Sequence, residues 1–290
     1  MFLLQEVLCS TIADSINLDL KYKLGFQYVL AMKKQLYTFI LLLAFGSCMA
    51  QTKFWKPAVN PSEVQKTYLG WNNYQKSHIM LSTDFVALDA KSNPITKAGF
   101  LQELTSGNYI PVALESDKAA LYYQLFKIEP TSDTSIKASI AETAFNEIQN
   151  YKKEGEPFPA FSFHDLEGNL ITNETLKGKI VVIKCWYIHC AACLKEFPDV
   201  NQLVANYKDR TDIVFISLAE DTPEQLAPFL VRKPLSYAVV PDMKTYMNLT
   251  LQLNAFPTHY IINKEGIIVK VLSDSHSLEV ALKKESLIEK

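Results

Sequence analysis

The sequence predicts an α/β protein in two parts. A C-terminal domain has a central sheet covered on both faces by helices, and a smaller mixed α/β domain precedes it. Three observations carry this reading. Residues 155–290 alternate apolar, strand-like runs with amphipathic helical stripes. Residues 51–154 show the same mixture on a smaller scale. Between them Gly155-Glu156-Pro157-Phe158-Pro159 interrupts both patterns, which places the boundary at 154/155.

Residues 1–50 stand apart. Lys33 and Lys34 precede an apolar run from Leu36 to Phe45, and small residues follow to Ala50. This is the layout of a secretory signal over residues 32–50, with Met32 as the start and residues 1–31 as an upstream mis-start. The run is short of the roughly 20 residues that span a bilayer. Cleavage after Ala50 leaves Gln51 first. The ending Phe45-Gly46-Ser47-Cys48 also fits a lipoprotein signal, with lipid on Cys48. Any membrane association is expected only through the signal or that anchor.

In residues 51–154 a helix is expected over Pro61–Met80. Strands are expected at Phe85–Leu88, Tyr109–Leu114 and Leu121–Ile128. Asp133 or Thr134 caps a further helix whose Ile136, Ile140, Ala144, Ile148 and Tyr151 recur at helical spacing. No motif in this part suggests chemistry.

In the C-terminal part a hairpin is expected over Phe161–Leu170, turning at Glu167-Gly168-Asn169, and a buried strand over Lys179–Trp186. A helix follows from Cys190 to Tyr207, with Phe197, Val200, Leu203, Val204 and Tyr207 on one face. Then come a strand at Ile213–Leu218, a helix at Thr222–Leu230 with Pro223 in its first turn, and a short strand at Tyr237–Val240. Thr258–Asn263 and Ile267–Leu272 form a hairpin over Lys264-Glu265-Gly266, and a last helix begins near Ser277.

The apolar share is 48%, enough for a true core, and 29 basic residues face 31 acidic ones. With no block of like charge, nucleic acid is not an expected partner. Without residues 1–50 the balance is 25 basic to 28 acidic, and only Cys185, Cys190 and Cys193 remain. Three cysteines are too few for a disulfide scaffold.

Two of them form Cys190-Ala191-Ala192-Cys193, directly after a strand and at the head of a helix. Unpaired N–H groups and the dipole at a helix start stabilise a thiolate, the form that attacks a disulfide. Two intervening residues bring the sulfurs within bonding reach. Cys190 is expected to be the exposed attacker and Cys193 the shielded resolver. A static disulfide and a metal site are the competing readings. Zinc usually needs four ligands, and no second C-x-x-C or H-x-x-x-H is present. Haem attachment needs histidine at 194, where Leu194 stands. Cu(I) held by both thiolates with His189 or His259, as in a metal-binding envelope chaperone, stays open.

Residues 156–272 resemble the TlpA/ResA-type envelope thioredoxins. The matching pieces are Phe161-Ser162-Phe163-His164-Asp165-Leu166-Glu167-Gly168, Leu176-Lys177-Gly178-Lys179, the strand into Trp186, Cys190–Cys193, Glu196-Phe197-Pro198, and Phe256-Pro257-Thr258 before Ile261–Gly266. The resemblance implies a thioredoxin-like fold with a mixed sheet. It also implies a thiol–disulfide oxidoreductase with no cofactor beyond a redox-active Cys190–Cys193 disulfide and no metal. Its implied setting is the periplasmic side of the bacterial envelope, its partners disulfide-bearing envelope proteins and a membrane electron donor, and its direction reduction.

Pro257 matches the family's cis-proline, and Phe256 would present its backbone to substrate. His189 and Trp186 would lie at the substrate surface. Glu196 matches an acid that relays a proton to or from Cys193; an ordinary solvated glutamate is the alternative. Pro198 should kink the helix. The chain also departs from the family. His189 replaces the usual Trp, and would either lower the Cys190 pKa or stay a bland loop residue. Ala191-Ala192 replaces the commoner Gly-Pro or Glu-Pro. Lys184 lies where other thioredoxins bury an acid, which is costly unless its ammonium reaches water or a carboxylate. Cys185 faces the opposite side of the sheet and reads as a small buried hydrophobe.

Mass spectrometry of protein from native cells should find a first residue at Gln51, or diacylglycerol on Cys48. Peptides from residues 1–31 would overturn this reading.

Overall fold

The computed structural model of the protein describes residues 56–116 and 120–288. The expected signal, the start at Met32 and the lipid site at Cys48 lie outside these residues. The N-terminal part contains α1 (Pro61–Val64), α2 (Tyr68–His78), β1 (Phe85–Leu88), β2 (Pro94–Ile95), α3 (Lys97–Thr105), β3 (Tyr109–Ala113), β4 (Leu121–Lys127) and α4 (Thr134–Tyr151). Its sheet runs β2-β1-β4-β3, with β1 and β4 parallel and the other pairs antiparallel.

The single helix expected over Pro61–Met80 is two. The first ends at Gln65, and Thr67 caps a new start by accepting the Gly70 N–H at 3.1 Å. Strand β2 and helix α3 are additions to the predicted elements. Thr96 caps α3, and Phe100, Leu101 and Leu104 lie fully buried on one face of it. These side chains pack with Trp71, Ile136 and Ile140, and each large apolar group so buried contributes about 1.5–3 kcal/mol. Asp133 caps α4 through the Ser135 N–H and also accepts the Tyr68 N–H, which ties the starts of α2 and α4 together. Gly107 sits at φ +66°, where a Cβ would stand 2.9 Å from the Lys137 carbonyl oxygen, so glycine is required.

The C-terminal part contains the hairpin β5 (Ser162–His164) and β6 (Leu170–Thr172), then β7 (Ile180–Trp186), α5 (Ala191–Lys195), α6 (Phe197–Asn206), β8 (Ile213–Ala219), α7 (Pro223–Arg232), β9 (Ala238–Val240), a π turn (Tyr246–Thr250), β10 (Thr258–Ile262), β11 (Ile268–Leu272) and α8 (Ser275–Ile288). The sheet order is β11-β10-β7-β8-β9. β7, β8 and β9 run parallel, and β10 is antiparallel to both neighbours. This is the thioredoxin-like mixed sheet.

Every residue of β7 is buried, as its continuous apolar run requires of a central strand. Alternation sends Val181, Ile183 and Cys185 into one core and Ile180, Val182 and Trp186 into the others. The helix expected over Cys190–Tyr207 is divided at Glu196, two residues before Pro198. That proline has no N–H to donate and its ring crowds the preceding turn, so the helix restarts instead of merely kinking. The final helix begins at Ser275, slightly before the predicted Ser277. The π turn is absent from the predicted elements.

The expected break at Gly155–Pro159 is hydrogen-bonded to the edge of the large sheet. Gly155 N–H donates to Ile268 O at 2.8 Å, Ile268 N–H to Glu156 O at 2.9 Å, and Phe158 N–H to Gly266 O at 2.9 Å. Charged contacts extend the seam: Asp84 meets Lys270 at 2.7 Å and Lys284 at 2.6 Å, and Lys270 meets Glu154 at 2.8 Å. Deeper in, the Ser273 hydroxyl donates to Glu147 at 2.6 Å. No described helix is long and apolar enough to cross a membrane.

Burial lifts the Glu147 carboxyl from 4.5 to about 7 despite the Ser273 hydrogen bond. The folded state therefore holds this proton more tightly than the unfolded chain. Its contribution is most favourable below 4.5 and is lost as pH rises through about 7. Glu147→Gln should unfold at the same denaturant concentration as the parent near pH 4.5. It should exceed the parent by about 2–3 kcal/mol at pH 8. A difference independent of pH would show that Glu147 is already ionised when folded.

Candidate active site

The loop from β7 into α5 positions the two cysteines. Asp221, just after β8, accepts the Ile188 N–H at 2.7 Å, and the Cys190 N–H donates to Tyr187 O at 3.1 Å. Cys190 is the cap of α5 and its Sγ accepts the Cys193 N–H at 3.1 Å. The cysteines form a disulfide with their Cα atoms 5.2 Å apart. Cys190 is 5% exposed and Cys193 fully buried. Cys190, the expected attacker, is thus the more accessible of the two, but it is far from open. Tyr187, Ile188, Leu194 and Phe256 pack around the same cluster as both cysteines, and Tyr187 meets Phe256 edge to face with ring centres 5.3 Å apart.

The Phe256–Pro257 peptide is cis, and Pro257 is buried while Phe256 is half-buried. Trp186, expected at the substrate surface, is fully buried. Strand alternation turns it inward against Phe197 at 5.0 Å and Phe229 at 6.0 Å, so it supports the site from beneath. His189 is exposed on the loop before Cys190. Cys185 is fully buried on the other face of the sheet, and its thiol is pushed up to about 12, as expected of an inert hydrophobe.

Beneath the dithiol lies a buried polar group that the sequence indicates only through two separate oddities. Lys184 Nζ donates to Glu196 Oε2 at 2.7 Å, and His259 Nε2 reaches the same oxygen at 3.0 Å. The other oxygen, Oε1, accepts the Ser275 N–H at 2.8 Å. Lys184 and His259 are fully buried, and Glu196 nearly so. They meet because His259, Lys184 and Ser217 stand in register across β10, β7 and β8. Glu196, at the break between α5 and α6, lies over that row.

Burial alone would raise the Glu196 pKa. The hydrogen bond from His259 and the charge and hydrogen bond of Lys184 outweigh it and hold the carboxyl at about 2. Burial keeps His259 below the ordinary imidazole value, so it meets the carboxylate as a neutral Nε2–H donor. The buried Nδ1, with no partner among the described residues, is then a lone-pair nitrogen and not an unmet donor. Burial also lowers the Lys184 pKa, and Glu196 opposes that shift. Glu196 is therefore no solvated surface acid. A carboxyl held near 2 is also a poor proton carrier at neutral pH. The sequence offers His259 only as a candidate copper ligand and Lys184 only as a costly strand lysine; their meeting on Glu196 with the Ser275 N–H is not foreseen. The signal was present in a lone lysine within an apolar strand.

Among the described residues no three His, Cys, Asp or Glu side chains are grouped to hold a metal ion. His259 already gives its Nε2 to Glu196.

A thioredoxin-like sheet with a C-x-x-C disulfide at the head of a helix, beside a cis-proline, defines a thiol–disulfide oxidoreductase. Comparison with known proteins agrees. The AhpC/TSA family model matches residues 155–271. The ResA thiol-disulfide oxidoreductase of Bacillus anthracis is 31% identical over 125 residues, covering 43% of this chain and 72% of that protein. The thioredoxin-like protein YneN of Bacillus subtilis (strain 168) is 28% identical over 137 residues, 44% of this chain and 80% of that one. A crystal structure described as a putative thiol:disulfide interchange protein DsbE from Chlorobium tepidum aligns with TM-score 0.42 at 22% identity, over 47% of this chain and 96% of that one. Through its C-terminal part this chain belongs to the ResA/TlpA-type thiol–disulfide oxidoreductases.

Lys184→Met leaves the Glu196 carboxylate buried without its charged partner and should cost about 3–5 kcal/mol in urea unfolding. Adding Glu196→Gln should recover most of that loss. A double variant as unstable as the single one would show that Lys184 matters for its packing and not for its charge.

Proposed function

We propose that the protein reduces disulfides of exported proteins on the periplasmic side of the bacterial envelope, and is itself re-reduced by a membrane electron donor. Residues 155–290 are the redox domain, and residues 51–154 an accessory unit. The observation that carries the reading is the graded burial of the Cys190–Cys193 pair beside Pro257.

The Cys190 thiolate attacks one sulfur of the target disulfide. A Cys190–substrate disulfide forms, and the departing substrate thiolate takes up a proton. Cys193 then loses its proton and attacks Cys190 Sγ. The second substrate thiolate leaves and is protonated. Two electrons and two protons have passed from the protein dithiol to the substrate, and the Cys190–Cys193 disulfide remains. The Cys193 N–H directed at Cys190 Sγ favours the thiolate that begins this sequence.

Reduction is the direction proposed, and the charge around the dithiol bears on it. Surplus positive charge beside a dithiol stabilises its reduced form and makes an oxidant. Here the buried Lys184 is neutralised by Glu196, so it adds no surplus charge of its own. Glu196 sits three residues beyond Cys193, on the same side of the helical segment. The sequence reading assigns it a proton relay. Its pinned carboxylate fits better as the fixed counter-charge that positions Lys184.

Cys193→Ser should accumulate a covalent complex between Cys190 and a disulfide-bearing protein such as insulin. Cys190→Ser should trap almost none, and both should lose turnover. Non-reducing gel electrophoresis reads this directly. Equal trapping by both variants would refute the attacker and resolver roles, and full activity in both would refute the enzymatic use of this pair.

A further inference from the structure

A cleft of about 560 Å3 opens beside the dithiol, and the N-terminal part of the chain forms one of its walls. Ala192, Glu196 and Pro257 line the redox side. Lys76 of α2, Met80 in the turn after it and Thr143 of α4 face them. Exchange at Cys190 has no chemical need of this second wall: a small disulfide reacts wherever the attacking sulfur can be reached.

The wall is nevertheless held in register with the reacting groups. The Ser273 hydroxyl bonds Glu147, on the same helix as Thr143. Two residues further along, the Ser275 N–H bonds Glu196. One short stretch, 273–275, thus grips the N-terminal wall on one side and the buried carboxylate under the cysteines on the other. Asp84, clamped between Lys270 and Lys284, fixes the two parts at a second point.

The volume falls within the roughly 300–1,000 Å3 typical of ligand sites, far more than a bare disulfide requires. Its lining joins a few apolar groups (Met80, Ala192, Pro257) to a larger polar set that includes Lys76, Thr143 and Lys195. That mixture suits an extended polypeptide, whose amides need polar partners and whose side chains need apolar contact.

We propose that this cleft seats the polypeptide stretch flanking the target disulfide, so that the N-terminal part selects protein disulfides over small ones. The proposal rests on the thiol–disulfide exchange assigned above and gives the N-terminal part a role in choosing its substrate.

The test uses the full chain with two substrates, insulin and oxidised glutathione, and reads the ratio of their reduction rates. Thr143→Trp, which fills the cleft, should lower the insulin-to-glutathione ratio by about tenfold. Lys76→Glu reverses a charge on the exposed face of α2 without disturbing the core, and should shift the same ratio by a smaller factor. An unchanged ratio in both variants, whether or not both rates fall, overturns the proposal. A parent protein that reduces neither substrate overturns the exchange reading, and the cleft assignment falls with it.

Discussion

One buried ion pair organises the C-terminal part of the chain. Lys184 stands in the middle of the central strand, where its charge has no access to water. It is tolerable only if a carboxylate comes to it. Glu196 supplies that carboxylate from the break between α5 and α6, and the need to reach Lys184 fixes where the break lies over the sheet. The same carboxylate takes His259 from β10 and the first N–H of α8. Four elements that converge from distant parts of the sequence meet on two oxygen atoms, and Cys193 lies three residues upstream on the same segment. The placement of the dithiol and the solvation of one buried lysine are a single problem with a single solution.

This explains what the sequence made legible and what it did not. The strand–helix alternation of residues 155–290 gave nearly every element, because each strand is a short apolar run and each helix a one-sided stripe. Cys190, Cys193 and Pro257 could be placed because their spacing and flanking residues form a recognisable set. The helix break at Glu196 was foreshadowed by Pro198, although as a kink. Lys184 and His259 were each visible as oddities, but their meeting was not. It depends on strand register between β7 and β10, residues 75 positions apart in the chain. Trp186 shows the opposite error: its place next to the active-site loop suggested contact with substrate, whereas the strand's own alternation turns it into the core.

The N-terminal part was read less fully for physical reasons. Strand β2 has only two residues, and helix α3 begins with Lys-Ala-Gly, a weak opening that only the Thr96 cap and the buried Phe100–Leu104 face make helical. Gln65 and Lys66 divide α1 from α2 without any proline or glycine to announce it. What joins this part to the rest is polar, built from Asp84, Glu147, Glu154, Lys270, Ser273 and Lys284, and surface polar residues carry no periodicity that reveals their partners.

The segment that interrupts the sequence pattern at 155–158 does more than connect. By exchanging backbone hydrogen bonds with Gly266 and Ile268 it covers the outer side of β11, while at the far side of the sheet the Leu166 N–H covers β9 through Val239 O. At each margin of the five-stranded sheet, part of the outward-facing row of donors and acceptors is thus taken up. Bare margins let one molecule add its strand to another and begin an aggregate. Under the proposed function, exposed strands of disulfide-bearing chains would find these stretches of the margin already occupied. The occupied stretches shorten the margin on which such a chain could add a strand.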